Sequence, residues 1–243
     1  RYWRKHLSIQ NNIILVRKTI SDWRRFWLSY HDYIDLVPED QRPLIRNLYP
    51  CLGDDTNETS IEPTYFYQDA WAFEKIIQAH PYWHVDVGSH HKYVALLSKV
   101  VPVTMVDIRP LSLPLATLNF RKGNILDLPF ESESIPSLSS LCVIEHIGLG
   151  RYGDKLDPHG SEKALMELKR VLAPGGNLYL SVPIDNENRT YFNAHRAFRE
   201  SYLLEQFFPL EILEKKYIFG NCFSDKPESG FGIACFQLHR NVN

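Results

Sequence analysis

Between residues 84 and 183 short apolar runs alternate with helical patterns, and this alternation narrows the possible folds more than any other feature. "HVDVG" (84–88) and "VTMVD" (103–107) read as strands, with a helix between them over Tyr93–Val100. "SLCVI" (140–144) reads as another strand, followed by a long loop and a helix over Ser161–Leu172. That helix carries Ala164, Leu165, Leu168, Val171 and Leu172 on one face and stops at Pro174-Gly175-Gly176. "NLYLSVP" (177–183) follows as a strand. Strands alternating with helices predict a parallel sheet covered on both faces. The last apolar runs, "LEILEKKYIF" (210–219) and "FGIACFQLH" (231–239), have no helix between them. They predict an antiparallel pair at the end of the sheet.

Upstream the texture differs. Val16, Ile20, Trp23, Trp27, Tyr30 and Ile34 recur at alternating spacings of four and three, so residues 1–37 read as a helix with an aromatic stripe for core or interface. Pro38 ends it, and prolines 38, 43, 50 and 63 with the polar run 54–58 mark a connector. A second helix carries Trp71, Phe73, Ile76 and Ile77. The expected organisation is a helical segment and connector over 1–63 and one α/β domain over 64–243. A chain of 243 residues, 44% hydrophobic, can bury such a core. A formal charge of −2 and a pI near 6.6 give no electrostatic reason to expect a nucleic-acid partner. Cys51, Cys142, Cys222 and Cys235 form no C-x-x-C pair, which argues against structural zinc and for a reduced, cytoplasmic setting. No apolar run approaches the ~20 residues of a membrane span.

Ligands of an open parallel sheet bind at the carboxyl ends of its strands, where strand order reverses. The first strand here runs into Asp86-Val87-Gly88-Ser89-His90-His91-Lys92. Gly88 lets the backbone approach a ligand closely, or serves simply as a turn glycine, and Asp86 can orient the loop. Asp107 stands 19 residues after Gly88, close to the ~20-residue offset at which an acidic side chain reaches ribose hydroxyls. It can also cap the segment that follows it. His90 and Lys92 fill the places of a dinucleotide loop's further glycines and would crowd a pyrophosphate. A nicotinamide-dependent oxidoreductase is disfavoured on that ground. A nucleoside cofactor without phosphates fits better, and S-adenosylmethionine is the common one.

Several longer segments point the same way. "GNILDLPF" (123–130) resembles the Gly-Asp-x-x-x-Leu-Pro-Phe segment of class I S-adenosylmethionine-dependent methyltransferases. "CVIEHIG" (142–148) resembles that family's fourth-strand ending, and "ALMELKRVLAPGGNLYLSVP" (164–183) its next helix, turn and fifth strand. The resemblance implies a Rossmann-like α/β fold: a mostly parallel seven-stranded sheet with an antiparallel last strand, plus N-terminal helices. It implies a cofactor set of Asp86, Gly88, Ser89, Asp107, Ile108, Asn124, Ile125 and Cys142. Asn124 stands where the family accepts a hydrogen bond from the adenine amino group; its amide oxygen can do so, or can bond its own backbone. Cys142 also reads as a small core residue. The insert "EHIGLGRYGDKLDPHGSEKAL" (145–165), with residues 50–72 and 191–198, is similar to a narrower methyltransferase-like family of undefined activity. Many of its members are associated with bacterial surface-polysaccharide gene clusters, which implies a sugar hydroxyl as methyl acceptor.

An alcohol attacks a methyl sulfonium well only if a base takes its proton as the bond forms. Histidine suits that role, and His146 and His195 are the favoured candidates, with His159 beside them. Arg151, Tyr152, Asp154, His159 and Arg196 are candidates for an acceptor pocket, the guanidinium groups suiting a carboxylate or phosphate on a glycan. The alternative is that Arg151 and Asp154 pair to brace their own loop. Asp154 and Asp157 could offer oxygens to magnesium, but no dense carboxylate cluster backs a metal site. A non-catalytic methyltransferase-like binding module is the rival reading, and an oligomer is compatible with either.

Overall fold

In the computed structural model, which describes residues 9–242 and side chains from residue 16, helix α1 spans Ile9–Leu36. The first eight residues of the expected helix lie outside the described residues. Two compact units divide the chain between Ser60 and Ile61. Within the first, Trp23, Phe26, Trp27 and Tyr30 make successive edge-on ring contacts along α1. Arg25 pairs with Asp22 and Asp55, and Tyr30 Oη donates to the Pro43 carbonyl at 3.3 Å. The stripe is only partly covered, with Trp23 39% and Trp27 43% exposed.

The second unit begins with α2 (Pro63–Gln78), started by Pro63 in its first turn and by Glu62, whose carboxylate accepts from Tyr65 N at 2.8 Å. The elements β1 (His84–Val87), α3 (His91–Leu97), β2 (Val103–Asp107), β3 (Leu118–Lys122) and β4 (Ile135–Leu141) follow. Next come α4 (Gly160–Val171), β5 (Leu172–Ile184), the small hairpin β6 (Arg189–Tyr191) and β7 (His195–Ala197), and α5 (Glu200–Phe207). The chain closes with β8 (Glu211–Phe219), β9 (Cys222–Ser224) and β10 (Gly232–His239). The main sheet has the order β3-β2-β1-β4-β5-β10-β8-β9. Strands β1 to β5 pair in parallel, and β10 runs antiparallel between β5 and β8. Strand order reverses between β1 and β4, which places a ligand edge at their carboxyl ends.

The sheet has eight strands rather than seven, because the chain after β8 folds back as the three-residue edge strand β9. The fourth strand lies over Ile135–Leu141, upstream of the expected 140–144, where a 3-10 turn at Ile144–His146 follows instead. Its sequence, "IPSLSSL", hides a buried strand behind serines that all find partners: Ser137 and Ser139 bond the ring of His84, and Ser140 Oγ donates to the Val87 carbonyl. Strand β3 has no pronounced apolar signal because it lies at the sheet edge with its residues partly exposed. One face of the sheet packs α4 and α5 through Leu165, Leu168, Val171, Leu203 and Phe207. The other packs α2 and α3 through Trp71, Ile76, Tyr93, Val94 and Leu97. Each such fully buried aliphatic side chain contributes about 1.5–3 kcal/mol, which fixes the strand ends that form the site.

Candidate active site

The loop after β1 is held from beneath. Asp86 is fully buried; its Oδ1 accepts from Ser89 N at 3.1 Å and its Oδ2 from Ser139 Oγ at 2.6 Å. Since a carboxylate only accepts, the Ser139 hydroxyl is committed to Asp86 and must itself accept from His84 Nε2 at 2.9 Å. His84 Nδ1, 2.8 Å from Ser137 Oγ, is then the acceptor on the other side of the ring. Burial pushes His84 down to about 3 and Asp86 up to about 6, the bonds from Ser139 and Ser89 opposing the second shift. Ser89 Oγ accepts from Leu141 N at 2.9 Å and so ties the loop to the end of β4.

Gly88 is required by its backbone, with φ at +73°. A Cβ there would meet Val143 Cγ1 at 3.0 Å. The neighbour that a side chain here would meet is the chain just beyond β4. His90 packs its ring 5.0 Å from Tyr65, and His91 and Lys92 are exposed.

At the end of β2, Asp107 Oδ1 accepts from Arg109 N at 2.8 Å, while Oδ2 carries no hydrogen bond among the described residues. Ile108 follows it, half-buried. Asn124 is exposed and its Oδ1 accepts from Leu126 N at 3.0 Å, so its amide oxygen already has the local partner of an Asx turn. Ile125 packs its side chain into the core. Cys142 has a φ of +52°, and its Sγ lies 3.1 Å from Gln68 Oε1, which also accepts from Ser181 Oγ at 2.7 Å. Burial, then Glu145, hold its thiol well above the ordinary range, so it is inert as a nucleophile.

The insert after β4 brings the remaining polar groups together. His146 Nδ1 lies 2.6 Å from the Ala194 carbonyl, and Arg151 Nη1 donates to the same oxygen at 3.2 Å. A carbonyl only accepts, so Nδ1 carries the proton and Nε2 holds the lone pair. The 3.4 Å approach of Arg151 Nη1 to Nδ1 is then a contact between two donors sharing one acceptor. Burial pushes His146 down to about 4, so the ring is neutral near pH 7. Tyr152 lies between Arg109 (4.4 Å) and Arg151 (5.0 Å), with its ring edge-on to His146, and so joins the β2 end to the insert. His195 sits 4.9 Å from the ring of Tyr191 and 5.7 Å from Phe231, and burial lowers its pKa.

Other expected site residues do different work. Asp154 braces its own turn, accepting from Gly148 N, Gly150 N and Tyr152 N, bonds that hold its pKa low despite partial burial. Arg196 is 7% exposed, and its guanidinium donates to the Ile147, Asp157 and Pro158 carbonyls and to Ser161 Oγ. With its donors directed at the protein, it is a brace rather than part of an acceptor pocket. His159 is exposed at the start of α4, and its backbone N donates to Asp157 Oδ1. Asp157 is engaged by Lys163 as well, and no group of three or more potential metal ligands occurs among the described residues.

Glu145, Arg109 and Gln68 were not singled out from the sequence, whereas Tyr65, with Tyr67 and Trp71, was expected either to cap the cleft or to pack against the main domain. Glu145 is 2% exposed, its Oε1 lies 3.7 Å from His146 Nε2, and its Oε2 has no hydrogen-bond partner among the described residues. The Glu-His dipeptide following an apolar strand was the available signal. Nothing local marks the other two, which reach this edge only through α2 and the turn after β2.

A family model described as "Caenorhabditis protein of unknown function, DUF268" matches residues 131–241. Among curated proteins, none matches this chain. Solved structures do. The [4+2]-cyclase SpnF superposes with a TM-score of 0.58 at 12% identity, over 78% of this chain and 86% of that one. The N-methyltransferase NodS from Bradyrhizobium japonicum WM9 gives 0.56 at 13%, over 78% and 99%. A 1,6-didemethyltoxoflavin-N1-methyltransferase from Burkholderia thailandensis, solved with S-adenosylhomocysteine, gives 0.54 at 16%, over 98% and 93%. The chain has the Rossmann-like fold of class I methyltransferases. A cyclase among the neighbours means that fold alone does not choose the chemistry.

Proposed function

We propose that this chain is an S-adenosylmethionine-dependent methyltransferase acting on a hydroxyl of a sugar-containing acceptor in bacterial surface-polysaccharide biosynthesis. The observation that carries the reading is the convergence, at the β1/β4 reversal, of the Asp86-ordered loop, Asp107 and the Glu145-His146 turn. One feature fits the nucleoside cofactor: among the described residues Asp107 keeps Oδ2 free for a ribose hydroxyl. When bound, the cofactor supplies an activated methyl group on a sulfonium. The protein then has to align the acceptor, exclude water and receive one proton. Asp107 and the Gly88-Ser89 backbone would hold the nucleoside and its amino-acid tail. Arg151 and Tyr152 would line the acceptor side, with His146 and His195 beside the reacting hydroxyl. The sugar acceptor rests on the resemblance of the insert and of residues 50–72 and 191–198, and on the arginine-aromatic lining of the insert.

Calorimetry with S-adenosylhomocysteine tests the cofactor. We expect saturable binding, weakened in Asp107→Ala by about 1.5–3 kcal/mol for a lost charged hydrogen bond. Unchanged affinity in Asp107→Ala would remove the ribose assignment. A second reading, a non-catalytic binding module, is favoured by one observation: the Asn124 acceptor is already occupied by Leu126 N. Absence of binding at high micromolar concentration would establish that reading instead.

A further inference from the structure

Glu145 occupies a position that costs stability unless something compensates it. Its Oε2 is buried without any hydrogen bond among the described residues, a state that costs about 1–3 kcal/mol and that native structures retain at few sites. The titratable and charged groups facing it are Tyr65 from α2, Cys142 at the end of β4, His146 beside it and Arg151 from the insert. Among the described residues none of these makes a hydrogen bond to Oε2, although the Cys142 thiol lies close enough to the carboxyl to oppose the upward pull of burial. The carboxyl sits two residues beyond Val143, which packs on Gly88, and three beyond Cys142, which bonds Gln68. It therefore lies where the cofactor loop, α2 and the end of β4 meet.

We propose that Glu145 is the proton acceptor of the site, with Oε2 turned to the reacting atoms. The inference rests on the methyltransferase reading and deepens it. In the step, an acceptor hydroxyl loses its proton to the ionised Oε2 as its oxygen takes the methyl group. The electron pair of the broken carbon–sulfur bond stays on sulfur, so the positive sulfonium and the negative carboxylate both end neutral. Burial holds the Glu145 pKa up at about 8, so the carboxyl retains a proton readily yet is partly ionised near neutral pH. His146, held down at about 4 and tied to the Ala194 carbonyl, stays neutral, and its Nε2 lone pair, 3.7 Å from Oε1, makes no hydrogen bond to the ionised carboxylate.

The test uses sinefungin, the analogue in which a carbon bearing an ammonium group replaces the methylated sulfur. That ammonium would stand at the reacting centre and pair with an ionised Glu145. Calorimetry on the intact chain at about pH 7, in buffers of different ionisation enthalpy, should show sinefungin binding about tenfold tighter than S-adenosylhomocysteine. It should also release close to one proton, and the release should fade as pH rises past about 8. Glu145→Gln should keep S-adenosylhomocysteine affinity and lose both the preference and the proton release. If wild type binds both ligands equally without proton release, or if Glu145→Gln retains both signatures, the assignment of Glu145 is overturned while the cofactor site stands. If S-adenosylhomocysteine does not bind wild type, the methyltransferase reading fails first and Glu145 with it. Should Glu145→Gln not fold, the wild-type comparison across pH decides alone.

Discussion

Replacing Arg196 with methionine removes four donors from the brace of the insert while keeping the length of the side chain. Nη1 donates to the Ile147 carbonyl at 2.6 Å and Ser161 Oγ at 3.0 Å; Nη2 donates to the Asp157 and Pro158 carbonyls at 3.1 and 3.3 Å. Each hydrogen bond to a charged group contributes about 1.5–3 kcal/mol, but the four share one guanidinium and their losses do not add. Ser161 Oγ keeps its bond to the Ile144 carbonyl, so the unsatisfied groups are mainly carbonyls. The expected loss is about 3–5 kcal/mol, the range for deleting a buried charged partner, out of a total of about 5–15. At about 2–4 °C per kcal/mol for a unit of this size, the Tm falls by roughly 6–20 °C. Urea unfolding followed by circular dichroism measures the first figure and a thermal scan the second. Arg196→Lys, which keeps the charge but not the fork, should lose an intermediate amount. A loss below about 1 kcal/mol in Arg196→Met would refute the brace. Full stability with weakened acceptor binding would return Arg196 to the acceptor pocket.

Three buried carboxyls have folded pKa values above their unfolded ones: Glu145 at about 8, Asp69 at about 7 and Asp86 at about 6, each raised chiefly by burial. The native state thus holds protons that the unfolded chain has released, so stability falls as pH rises from about 6.5 to 8, and Glu145→Gln should flatten that slope in thermal scans. His146 and His84, lowered to about 4 and about 3 by burial, act oppositely. There the unfolded chain binds more protons, so these two histidines oppose the carboxyl contribution below about 6.5; His84→Gln should raise stability at about pH 5 relative to pH 7, compared with wild type. Gly88→Ala should cost about 1–2 kcal/mol in urea unfolding, because φ is +73° and Val143 stands 3.0 Å from the new Cβ. Adding Val143→Ala should relieve only the contact, and full recovery in the double variant would show that backbone strain is absent.

The elements legible in the sequence were those whose signal is local. Helix α4 shows its buried stripe at helical spacing, β1 and β2 are short apolar runs, and the Asp86-Val87-Gly88 ending marks a strand-to-loop turn on sight. Strand β4 was displaced because its serines read as polar until His84, Asp86 and the Val87 carbonyl are seen to satisfy them. Arg196 read as a pocket residue because its type suits an anion, whereas its four acceptors come from segments 35 to 49 residues away.

The chain by itself determined the alternation of strands and helices, the loop after β1 and the acidic end of β2, because side-chain periodicity and turn chemistry act over a few residues. Tertiary structure alone decided which polar groups are spent and which are free. Among the described residues, Asp154 and Arg196 are engaged by their neighbours, Asp107 keeps one oxygen free, and Glu145 is buried with an oxygen unpaired. Hydrogen-bond satisfaction and desolvation depend on what surrounds an atom in space, and neither is written in its position along the chain.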